Sequence, residues 1–201
     1  MANTVPESGA RGLLLCASAS LLIGSCGVAG ALADFGRTPP AQSPRPQDLS
    51  SAQEVAQALA VEVDAALARD PRRRPLAAAD VVVSLLLVFA GLQLLGRRPT
   101  GPWWLTQACI ANALHAVAEA TSRIVALFAA QETLVPLLAR SVEIAARGSG
   151  GPPPAFEPSR LLGVYVLAVA GPALVMVLLY AYLVWRVRRG DVGAVLGAAG
   201  R

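Results

Sequence analysis

The sequence predicts an all-α, polytopic membrane protein: four transmembrane helices with two extracytoplasmic amphipathic helices. Three observations predict it. Hydrophobic residues make up 55% of the 201 positions, only 15% are charged, and the mean hydropathy is +0.54. A soluble domain usually carries about 25% charged residues, and a chain this apolar has too little polar surface to cover itself in water. Long apolar runs recur along the chain, and arginines and aromatic residues cluster at their ends. That is the pattern expected where helices meet a membrane interface.

The first apolar segment is Gly12 to Ala33. Its 22 residues suffice to cross a hydrocarbon core of roughly 30 Å. Small residues from Gly24 to Gly30 leave a face that favours close helix contact. Two processing alternatives compete with a retained anchor. Arg11 before the apolar run and Ala31-Leu32-Ala33 after it resemble a cleaved signal. Ile23-Gly24-Ser25-Cys26 loosely resembles a lipoprotein box, although its glycine departs from the usual pattern.

A Pro-rich connector follows over residues 34–50. Ser51 and Glu54 then form a capping-box pattern. Val55, Leu59, Val63, Ala66 and Leu67 trace an apolar stripe, with Gln53, Gln57, Glu62 and Asp64 on other sides. This predicts an amphipathic helix over about residues 51–69, ended by Asp70-Pro71.

The second membrane segment runs from Leu76 to Gly96 and lies between Arg72–Arg74 and Arg97–Arg98, with Asp80 at its entry. The third opens on Trp103 and Trp104, expected as interfacial anchors, and continues to about Ala130. Helical propensity runs on from Trp103 to Arg147, a rod of about 65 Å with Pro136 as its expected kink. Its distal part, with Leu134, Leu137, Leu138, Ser141, Val142 and Ala145 on the less polar side, is the second amphipathic helix. Gly148–Pro154 breaks it.

The fourth segment runs from Leu161 to Trp185, with a bend expected at Gly171-Pro172. Tyr180, Tyr182 and Trp185 stand near its end as further anchors, ahead of Arg186, Arg188 and Arg189. The corresponding organisation is 1–33, N-terminus and first span; 34–75, connector and outer helix; 76–130, second and third spans; 131–160, outer helix and connector; 161–201, fourth span and basic tail. Four spans put both termini on one side, and the arginines after the second and fourth spans place that side in the cytoplasm. Arg69 and Arg72–Arg74 weigh against it. The two amphipathic helices are expected to pair, apolar face to apolar face.

All seventeen basic residues are arginine. With abundant Ala, Gly and Pro, this suggests a GC-rich bacterial genome and hence a bacterial cytoplasmic (inner) membrane. The net charge of +4 does not imply nucleic acid, because the arginines flank apolar runs without interleaved aromatics. Cys16, Cys26 and Cys109 lie singly in apolar segments, so neither a disulfide framework nor a metal site is expected. No cofactor is expected, and nucleotide-binding glycine motifs are absent.

The candidate site is a polar stripe on the third segment: Asn112, His115, Glu119 and Arg123, at spacings of 3, 4 and 4. Glu119 is within helical reach of both His115 and Arg123. The helix rise places His115 about 17 Å and Arg123 about 29 Å beyond Trp104, so His115 falls near mid-membrane. Ionisable residues in a span face the protein interior and mark function by default. The stripe is read first as a seam that joins helices. The expected role is a non-catalytic accessory or assembly subunit with a membrane-protein partner or a second copy. A proton relay or small transporter is the first alternative, and a membrane-embedded enzyme is the second.

Overall fold

The computed structural model describes residues 7–36, 49–149 and 158–189. They form six α-helices and no strand: α1 Glu7–Gly36, α2 Ala52–Arg69, α3 Arg73–Leu95, α4 Gly101–Ala129, α5 Gln131–Ser149 and α6 Pro158–Val187. Most of the Pro-rich connector, the GGPPP part of the second connector and the tail beyond Arg189 lie outside the described residues.

Three helical stretches are long and apolar enough to cross a membrane: Gly9–Ala33, Arg73–Leu95 and Gly163–Val187. The count is four if α4 and α5 together form one bent span. In α4, Asn112, His115, Glu119 and Arg123 interrupt an otherwise largely apolar sequence. Three to four such helices are consistent with a multi-pass membrane protein.

The chain divides into two compact units. The first draws on Met1–Gly36, Arg74–Ala118 and Ala173–Arg201. Its core takes Leu13, Cys16 and Ala17 from α1, Leu87, Ala90 and Leu94 from α3, and Leu105, Ala108 and Cys109 from α4. Tyr180, Leu183 and Val187 of α6 complete it. Small residues let α1 and α3 approach closely. A Cβ added to Gly24 would lie 2.8 Å from the Ser84 carbonyl oxygen and 2.7 Å from a Val88 methyl. On α3, a Cβ at Gly91 would come within 3.0 Å of Leu21. The small-residue face of the first segment is therefore a contact surface against α3, as dispersion-driven packing of apolar helices requires.

α3 ends in a Schellman turn. Arg98 N–H donates to the Gln93 carbonyl and Arg97 N–H to the Leu94 carbonyl, with both bonds 3.0 Å long. Arg97 takes the left-handed position at φ 50°, where glycine is the usual occupant. The turn reverses the chain into α4 within five residues.

The second unit draws on Arg37–Arg73 and Glu119–Pro172. In it α2 and α5 pack together, burying Val55 and Ala58 of α2 against Leu137 of α5 and Leu49 of the preceding segment. The pairing of the two amphipathic helices thus follows their apolar stripes. The buried face of α2 is rotated from the expected one: Val55, Ala58, Glu62 and Ala66 face inward, while Leu59 and Val63 are half-buried. Glu62 enters this face with the Arg69 guanidinium 3.4 Å away. From α5, the Arg140 guanidinium donates twice to the Leu49 carbonyl, at 3.0 and 3.3 Å.

A continuous rod over 103–147 does not form. The helix breaks at Ala130, and α5 departs from α4 at 78°. Ala130 N–H is shared between the Ala126 and Leu127 carbonyls, a tightening typical of a helix end. The Thr133 hydroxyl then donates back to the Ala130 carbonyl at 2.9 Å. Pro136 lies inside α5 without ending it. The expected kink therefore moves six residues upstream, to a position without proline or glycine, where packing of α5 on α2 outweighs local propensity. α6 continues as one helix through Gly171-Pro172.

Ser51 and Glu54 form the full capping box of α2. Glu54 N–H donates to the Ser51 hydroxyl at 3.2 Å, and the Glu54 carboxylate accepts from the Ser50 and Ser51 amides at 2.8 and 3.2 Å. Donation by the Ser50 amide, then by the Ser51 amide, holds the Glu54 carboxyl below the usual carboxylate range.

Three outcomes are expected. Gly24→Val is expected to lower the thermal stability of the detergent-solubilised protein by about 1–3 kcal/mol, because the added methyls must displace α3 backbone. Ser51→Ala should cost about 1 kcal/mol of α2 stability, seen as faster amide exchange in its first turn. The Glu54 contribution is fully present above the ordinary carboxylate range and is lost as pH falls through its lowered folded pKa. Glu54→Gln should remove that acid-side dependence.

Candidate functional site

Four polar side chains of the four-helix unit, Asp80, Ser84, Asn112 and His115, gather where α3 meets α4. Asn112 is 5% exposed. Its side-chain amide donates to the Val83 carbonyl of α3 at 2.8 Å and to the Ala108 carbonyl of α4 at 2.9 Å. One carboxamide thereby ties two backbones where few other donors exist. One turn along α4, His115 Nε2 lies 3.6 Å from Asp80 Oδ1 of α3, an ion pair whenever the imidazole is protonated. The His115 side chain is only 10% exposed and that of Asp80 is 30% exposed. Ser84, one turn beyond Asp80, donates its hydroxyl to the same Oδ1 at 3.2 Å. A Cβ on Gly27 of α1 would overlap that hydroxyl, so glycine leaves room for the cluster on its third side.

The expected stripe is therefore divided. Asn112 and His115 join Asp80 and Ser84 in this cluster. Glu119 and Arg123 belong to the other unit and pair with each other, one turn apart on α4. The expected pairing of His115 with Glu119 gives way to His115 with Asp80. An across-helix carboxylate near the imidazole reaches it without bending α4. In the sequence Asp80 reads as a residue of the membrane entry. Its signal was visible as the one carboxylate ahead of the Val81–Leu95 run, with Ser84 four residues on. Pairing it with His115 requires knowing which α3 turn faces which α4 turn.

Within the second unit the Ser122 hydroxyl donates to the Asp70 carboxylate, whose other oxygen accepts from the Arg72 amide at 3.0 Å. Asp70 is the C-cap of α2, so this contact fastens the end of α2 to α4. Ser122 lies one residue from the expected stripe, on its buried side.

The aromatic residues also divide. Trp103, Tyr182 and Trp185 are exposed, as interfacial anchors require. Trp104 is half-buried and packs edge-on against Phe89 at 5.2 Å and Trp103 at 4.9 Å. Tyr180 departs from the group: it is 4% exposed and part of the core. Its place one helical turn from Leu183 and Val184 turns it inward while Tyr182 points out.

Among the described residues no group of three or more His, Cys, Asp or Glu side chains converges as a metal-ligand set. Every buried side-chain nitrogen and oxygen there has a hydrogen-bond partner. The cluster holds α3 against α4 and brings an imidazole and a carboxylate to 3.6 Å, beyond direct hydrogen-bond reach.

No family model, curated protein or solved structure matches this chain.

Asn112→Leu removes the α3–α4 tie while roughly keeping volume. The expected loss is about 1 kcal/mol, the scale of an interhelical hydrogen bond in a membrane protein. It is measured by thermal unfolding in detergent, and Asn112→Gln should not restore it because the longer side chain misplaces the amide.

Proposed function

We propose that this chain is a non-catalytic integral-membrane accessory or assembly subunit of a larger membrane complex. One observation carries the proposal: Asn112 and His115 of α4 both meet α3, through the Val83 carbonyl and Asp80. Asn112 bonds backbone, Ser84 bonds Asp80, and Asp80 faces His115. Meanwhile broad apolar surface stays uncovered on α6, where Leu174, Val175 and Leu178 are each at least 60% exposed. Such surface suits lipid or the spans of a membrane-protein partner.

The topology proposed with it has four spans, α1, α3, α4 and α6, with α2 and α5 extracytoplasmic. In its support, α4 alone rises about 43 Å, more than a hydrocarbon core needs. α5 carries Arg140, Glu143 and Arg147, which belong in water. Burial of Leu13, Cys16 and Ala17 supports retention of α1 as a span rather than its removal as a signal. Arginines after α3 and α6 favour cytoplasmic termini, and the composition favours a bacterial inner membrane.

A second reading, proton relay, is favoured by the approach of His115 to Asp80, since an imidazole and a carboxylate can each take up and release a proton. Purification in mild detergent, followed by identification of co-purifying chains, separates the two. The accessory role predicts a stable complex of fixed stoichiometry that survives Asp80→Asn with reduced yield. A solitary chain whose proton flux in proteoliposomes disappears on Asp80→Asn would overturn it in favour of the relay.

A further inference from the structure

A groove of about 610 Å³ runs between α4 and α6, wholly within the four-helix unit. Its walls are apolar: Ile110 and Ala113 on one side, Val177, Ala181 and Val184 on the other. Its charged lining residues are Arg188 and Arg189, and no acidic side chain lines it. Both arginines lie at the same end, just past the last turn of α6.

We infer that this groove binds one anionic phospholipid, with an acyl chain along its walls and the phosphate against Arg188 and Arg189. Depth agrees with that occupant. From Val177 to Arg188 the helix rises about 17 Å, close to the roughly 15 Å of one leaflet of a hydrocarbon core. The basic end coincides with the aromatic belt: Tyr182 and Trp185 are exposed there with their rings 5.8 Å apart. The Arg189 guanidinium sits 3.9 Å over the Trp185 ring, which holds a planar donor at the groove mouth where a phosphate would lie. Basic pockets between membrane helices recognise anionic lipid head groups by this combination of long-range attraction and short-range donation. The inference rests on α6 crossing the membrane and not on the accessory role.

The test uses the chain purified in mild detergent. It is offered phosphatidylglycerol, phosphatidylcholine with the same acyl chains, or glycerol 3-phosphate, and adducts are read by native mass spectrometry. One phosphatidylglycerol per chain should be retained in preference to phosphatidylcholine, and glycerol 3-phosphate should not be retained. Arg188→Gln with Arg189→Gln should weaken phosphatidylglycerol binding roughly thirtyfold, to the level of the neutral lipid. Ala181→Trp, which fills the groove from an exposed position, should remove both lipid adducts. The two arginines are also exposed, so the double variant tests the site without touching the core. Equal retention of the two lipids, retention unchanged by the arginine substitutions, or equal binding of glycerol 3-phosphate would each overturn the inference. Those outcomes leave the accessory role standing, because that role is read from co-purifying chains.

Discussion

A carboxylate, an imidazole, a hydroxyl and a carboxamide meet on two largely apolar helices, where each is best satisfied by a partner in the protein. Asp80 is the centre of that constraint. Ser84 donates to its Oδ1, His115 lies 3.6 Å from the same oxygen, and Gly27 of α1 keeps the space open. Asn112 extends the arrangement to the backbone of α3. Because an unsatisfied polar group in an apolar medium costs several kcal/mol, these contacts specify a single register between α3 and α4. Apolar packing alone would tolerate a slip by a turn far more readily.

The α1–α3 contact complements this seam by a different mechanism. A Cβ at Gly24 would overlap the α3 backbone and one at Gly91 would press on Leu21, so the contact is selected by shape. Hydrogen bonding thus chooses the register of α4 on α3, and steric exclusion chooses that of α1 on α3. In the other unit α2 and α5 pair through side chains. Leu137 of α5 packs with Val55 and Ala58 of α2, Arg140 holds the Leu49 carbonyl, and Asp70 anchors the end of α2 through Ser122.

Much of the fold was legible before any coordinates. Apolar length and flanking arginines located α1, α3 and α6, and Ser51, Glu54 and Asp70 marked both ends of α2. The site was only half legible. Asn112 and His115 announce themselves as polar residues in an apolar helix, but Asp80 looked like an interface residue because it stands four positions into the apolar run. The break at Ala130 has no local signature at all. Pro136 carries the familiar signal for a kink, yet it lies inside α5 without ending the helix.

By itself the sequence determined that the chain is helical, that several helices are apolar enough for a membrane, and that two others are amphipathic. Those properties are periodic or compositional, and periodicity is local. Tertiary structure alone decided that His115 faces Asp80 rather than Glu119, that Glu62 turns into the α2–α5 contact, and that Tyr180 belongs to the core. It also decided where α4 ends. Each of these depends on which turn of one helix meets which turn of another, and that is settled by close packing and by the need to satisfy buried polar groups across helices.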